Sequence, residues 1–170
     1  AKLNNLKQAA KTMNFLTEHG ISNYGELESK LTAISARRDT AHAEIKRIES
    51  RSAELTLVMK HAGTYRQLKP LYDRYRKSND KEKFLRGHES EIILFEAAAR
   101  ELKRLGAVPL PTTESMKTEL ANLNAEKERL LAEYKAARAE AQEYETVKQN
   151  VDALLTAPKE QEQQRRHELE

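Results

Sequence analysis

Between Lys60 and Gly87 the chain places nine basic residues (Lys60, Arg66, Lys69, Arg74, Arg76, Lys77, Lys81, Lys83, Arg86) against three acidic ones (Asp73, Asp80, Glu82). The window has a surplus of six positive charges in a chain of net charge +3, so the remainder is net negative by three. Tyr65, Tyr72, Tyr75 and Phe84 are interleaved with these cations. Clustered Lys and Arg hold phosphate backbones and unstacked bases lie on aromatic faces, so this combination suits nucleic acid, single strands especially. The residues expected to touch DNA are Lys69, Arg74, Arg76, Lys77, Lys81, Lys83 and Arg86, together with Tyr75. A plainer account competes with this one. Tyr65, Leu68, Tyr72 and Tyr75 recur at steps of three, four and three, which is how a core stripe on one helical face looks. The charges would then be the solvated side of the same segment.

Other chemistry is poorly represented. The chain has no cysteine, which excludes disulfides, thiolate zinc sites and a cysteine nucleophile. The five glycines, at 20, 25, 63, 87 and 106, are isolated, so no phosphate-cradling loop is present. The five histidines stand far apart, at 19, 42, 61, 88 and 167. His88 and Glu91 have the one-turn spacing of two metal ligands, but no third ligand converges on them in sequence. Carboxylates on long polar helices serve as i,i+4 partners of Lys and Arg rather than as acid–base pairs in a pocket. No catalytic residue, metal ligand or cofactor is expected.

The elements that carry these residues are helices. Of the 170 residues, 38% are apolar and 34% charged, and Gly and Pro together number nine, too few for a turn-rich β chain. Leu27, Leu31, Ile34, Arg38, Ala41, Ile45, Ile48, Ser52, Leu55, Met59 and Ala62 follow one another at steps of four and three. Met116, Leu120, Leu123, Lys127, Leu130, Tyr134, Ala137, Ala141, Tyr144, Lys148, Val151 and Leu155 repeat the pattern. A sustained period of 3.5 marks a helix whose apolar seam follows a partner helix. The reading is all-α: a long antiparallel coiled-coil hairpin with a small helical insert at its tip. An N-terminal helix over 1–21 is marked by Leu3, Leu6, Ala10, Met13 and Leu16, ends at Gly20 and should pack at the open end of the hairpin. The first coiled-coil helix covers 22–63, capped by Ser22 or Asn23 and ended by Gly63. A basic tip covers 64–111, with a turn from Asp80 to Gly87, a helix from Glu89 to Leu105, Gly106 as its left-handed terminator, and Pro70 disturbing the aromatic segment. The second coiled-coil helix covers 112–157, capped by Thr112 or Thr113 and stopped by Pro158, and 158–170 is a polar tail that either frays or continues as solvated helix. Pairing of the seams in a homodimer is the alternative arrangement. Within the hairpin, Lys127 should face Glu44 to Glu49, and Arg38 should face Glu133 to Glu140.

Several strings resemble the region that follows the nuclease domain in relaxases of the mobilization nuclease family. They are Asn5-Leu6-Lys7-Gln8-Ala9-Ala10-Lys11-Thr12-Met13-Asn14-Phe15-Leu16, Glu18-His19-Gly20, Tyr24-Gly25-Glu26-Leu27, Tyr72-Asp73-Arg74-Tyr75-Arg76-Lys77 and Lys83-Phe84-Leu85 with Glu89. Leu105-Gly106 to Leu110-Pro111-Thr112 and Val147-Lys148-Gln149-Asn150-Val151-Asp152-Ala153-Leu154-Leu155 complete the set, in the family's order along nearly the whole chain. Family relaxases nick one DNA strand at a transfer origin with a tyrosine that becomes linked to the 5′ phosphate, aided by a metal in a histidine cluster. That cluster is missing from this sequence, so no catalytic residue carries over. The resemblance implies a non-catalytic accessory domain for conjugative mobilization. It would assist binding of transfer-origin DNA, with a single strand as one form, or assembly with other relaxosome and transfer proteins. A protein-interaction or homodimerisation module without DNA contact is the alternative. The start at Ala1 reads like a piece of a longer protein. No apolar run of membrane-spanning length and no secretory signal are seen, so no membrane partner and a cytoplasmic location are expected.

Overall fold

The computed structural model describes residues 1–169 and is all-α, with four helices among the described residues: α1 (Lys2–Glu18), α2 (Tyr24–Lys77), α3 (Lys81–Arg104) and α4 (Thr113–His167). The chain divides into two compact units, Ala1–Ala43 with Leu130–Glu170, and Glu44–Arg129, and α2 and α4 contribute to both.

The helix ends obey local chemistry. Asn23 Oδ1 accepts from the Glu26 amide (2.9 Å), Asp80 Oδ1 from the Lys83 amide (3.1 Å) and Thr112 Oγ1 from the Ser115 amide (3.1 Å). Each satisfies one of the first free N–H groups of its helix. Gly20 and Gly106 have φ of +63° and +69°, the left-handed region where a side chain is disfavoured. Behind them the amides of Ile21 and Ala107 reach back to the carbonyls of Leu16 (2.8 Å) and Leu102 (2.9 Å), which closes α1 and α3 with Schellman turns.

In the first unit α2 and α4 run antiparallel. The Tyr24 hydroxyl donates to Asp152 (2.7 Å) and Arg37 to Glu140 (2.9 Å), so thirteen residues forward on α2 match twelve backward on α4. Phe15, Ile21, Leu27, Ile34, Ala141, Tyr144 and Val147 form its core. In the second unit the same antiparallel order is set by Lys127–Glu49 (3.4 Å) and by Arg51, whose fork grips both oxygens of Glu119 (2.7 and 3.1 Å). Ile45, Ile48, Leu55, Ala62, Met116 and Leu123 are buried there. No residue of the first seam, from Leu27 to Ala62, is exposed, and in the second only Leu155 is. The Lys127 pairing is the expected one. Across from Glu140, however, stands Arg37, while Arg38 bonds Asp39 on its own helix (3.0 Å).

Several expected boundaries are corrected. Gly63 does not end the first long helix: α2 continues through it and through Pro70 to Lys77. The cost of a mid-helix glycine, about 1 kcal/mol, is small beside the packing of Ala62 and Tyr65 on either side. Nor does Pro158 stop α4, which runs on to His167. A proline removes one helical hydrogen bond, but the following Lys, Glu, Gln and Arg residues are strong helix formers, and Glu162 pairs with Arg166 (3.6 Å). The turn over 80–87 and the helix after it are one element, α3, bent where His88 leaves helical geometry (φ −138°, ψ 25°).

Of the apolar stripe of the N-terminal helix only Leu16 packs on the core, and the docking face is otherwise a different one. Phe15 meets Tyr144 edge-on (5.0 Å between centroids), Gln8 donates to Asn150 (2.9 Å), and Asn150 donates to the buried Thr12 (3.3 Å). That leaves Leu3, Leu6 and Met13 on the solvent side, 67%, 71% and 59% exposed.

Candidate nucleic-acid interface

The basic window lies within the second unit, where the last turns of α2 meet the first turns of α3. A three-residue turn, Ser78 to Asp80, joins them. It is fixed from both sides: the Ser78 amide reaches the Tyr75 carbonyl (3.2 Å), and Asp80 caps α3. Arg74, Arg76 and Lys77 therefore stand next to Lys81, Lys83 and Arg86, and all six are exposed. Among the described residues none of the six has a carboxylate partner.

The remaining predicted contact residues are differently placed. Lys69 is exposed but already paired with Asp73, one turn along α2 (3.0 Å). Tyr75 is half-buried, with its ring 5.8 Å from Tyr72 and 6.0 Å from Phe84. The aromatic stripe as a whole is the packing surface between α2 and α3. Tyr65 and Tyr72 stack on Phe95 (4.8 and 4.2 Å between centroids), which is itself buried. Phe84 lies against His88 (4.7 Å), with the Arg74 guanidinium 6.0 Å from its ring centre. The tyrosines thus hold the two helices together.

One residue of the basic window has a structural task the sequence did not announce. Arg66 donates to the Pro111 carbonyl and to Thr113 Oγ1 (2.8 Å), tying the middle of α2 to the start of α4. Its partners are more than forty residues away, so no local spacing signals the contact. His88 lies at the bend of α3 with its buried Nδ1 unpartnered, 3.8 Å from Glu91, too long for a hydrogen bond. Among the described residues no group of three or more His, Asp or Glu is gathered as metal ligands would be. No helix among them is long and apolar enough to cross a membrane.

Comparisons with protein-family models, with curated proteins and with solved structures find no match to this chain.

Proposed function

We propose that this chain is a non-catalytic accessory domain of a conjugative relaxase and that it holds DNA through the α2–α3 turn. The observation that carries the reading is the set of six exposed, unpaired cations on two adjoining helix ends. Arg74, Arg76 and Lys77 are well placed for the negative C-terminal end of α2, so stability alone would account for them. Lys81 and Lys83 are not, because they sit against the positive N-terminal end of α3, where a cation costs a few tenths of a kcal/mol. A cost borne at an exposed site supports a ligand of opposite charge. The resemblance to the segment that follows relaxase nuclease domains supplies the context, a transfer-origin DNA.

The test is charge reversal. Replacing Arg74, Arg76, Lys77, Lys81 and Lys83 by Glu breaks no side-chain hydrogen bond or ion pair, so the helical circular dichroism of the chain should persist while DNA binding in a gel shift disappears. Unchanged affinity would end the reading.

A second reading has its own support. The exposed stripe Leu3, Leu6 and Met13 on α1 is the kind of surface a protein partner or another copy of the chain covers. An interaction module without DNA contact would show a dimer by sedimentation and no DNA binding near about 100 mM salt.

A further inference from the structure

Resting on the DNA reading above, we infer that the α2–α3 turn takes duplex DNA by its phosphates and does not select single strands by stacking their bases. Single-strand binders combine a cationic groove with open aromatic faces. Neither is built here. Every ring near the turn is engaged with another ring: Tyr65 and Tyr72 with Phe95, Tyr75 with Tyr72 and Phe84, Phe84 with His88. A base that stacked on one of them would compete with the packing that keeps α3 on α2. The hollow beside the turn, lined by Ser78, Asp80, Lys83, Phe84, Gly87 and His88, contains one cation and one carboxylate. A threaded strand would find no positive wall there.

What the turn does offer is six exposed cations on two helix ends whose junction is fixed by the Asp80 cap and the Ser78 bond. Fixed cations gather most from the densest charge. A duplex presents one phosphate per roughly 1.7 Å of its axis, twice the density of either strand. Phosphate contacts carry no sequence information, so affinity should be indifferent to base order.

The experiment is fluorescence anisotropy of the full chain with a labelled oligonucleotide of about 20 nucleotides, single-stranded or annealed, at about 50 mM and 150 mM salt. The expected result is duplex binding about tenfold tighter than single-strand binding at both salts, changed less than about twofold by scrambling the sequence. Tyr75→Leu and Phe84→Leu, which keep an apolar group in the packing, should leave duplex affinity within about twofold. Equal or tighter binding of the single strand would overturn the inference. So would a large loss of affinity in either leucine variant with helicity intact. Both results would leave the DNA reading standing, whereas absence of binding to either form would remove that reading itself.

Discussion

Three polar side chains along the paired helices show how far a hydrogen bond or a charge partner decides stability. Ser52 occupies a seam position of α2, and its Oγ is buried without a hydrogen-bond partner. An orphaned hydroxyl costs about 1 kcal/mol or more, and alanine is also the better helix former. Ser52→Ala should therefore raise stability by about 1 kcal/mol, read as a higher urea midpoint at unchanged slope. Tyr24 shows the opposite case of a satisfied polar group. Its hydroxyl donates to Asp152, and that bond, with the nearby negative charge, pushes its pKa from 10.0 up to about 12. A raised folded value means that the contribution to stability is whole below pH 10.0 and is lost as pH climbs towards about 12. Phenolate absorbance should show a late-titrating tyrosine that returns towards pH 10 in Asp152→Ala. No change in that variant would show that the bond does not form in solution. Glu49 is shifted the other way: Lys127 and Lys46 hold its carboxyl below the usual range, so this contribution exists at neutral pH and fades on acidification.

At the scale of the element, glycine makes the cleanest contrast. Gly63 lies inside α2, and a Cβ built on it meets nothing within 4 Å. Gly106 also has free space around it, yet its φ of +69° is the left-handed conformation that ends α3. Space is equal and backbone is not. Gly63→Ala should stabilise by about 1 kcal/mol, because alanine loses less freedom in a helix. Gly106→Ala should destabilise by about 1 kcal/mol, because the left-handed region is costly for a side chain. Thermal melts of the two variants should move in opposite directions; shifts of the same sign would mean that one of these helix assignments is wrong. The bend at His88 belongs to this scale as well. It lies between Phe84, whose ring leans on that of His88, and Phe95, which packs on Tyr72.

For the molecule as a whole, the uneven placement of charge is the feature with consequences. A net charge of +3 implies little, but a surplus of six concentrated between Lys60 and Gly87 gives one region a strong local field. If the six unpaired cations meet phosphates, log affinity should fall with log salt at a slope of at most about −5, since each contact contributes about −0.9. Replacing Lys81 and Lys83 by Ala should flatten the slope by about 2. A slope unaffected by that double change would place the contacts elsewhere on the chain.

The heptad stripes fixed their own fate without help. A helical period is a local property, and the residues it marks between Leu27 and Ala62 are all at least half-buried. The capping roles of Asn23 and Thr112, each one of two neighbouring candidates, and the helix ends at Gly20 and Gly106 were equally legible, because each depends on a few neighbouring atoms. Tertiary packing decided that α2 runs past Gly63 and Pro70, whose penalties the flanking packed segments outweigh. Tertiary contacts also chose which face of α1 is covered, through Asn150 and Tyr144, more than one hundred residues away. They also set Arg66 apart from the rest of the basic window, as a clamp on the start of α4, whereas Lys69 is paired within its own helix. Distant partners leave no trace in local spacing, and it is the distant partner that settles which charge is spent and which remains open to a ligand.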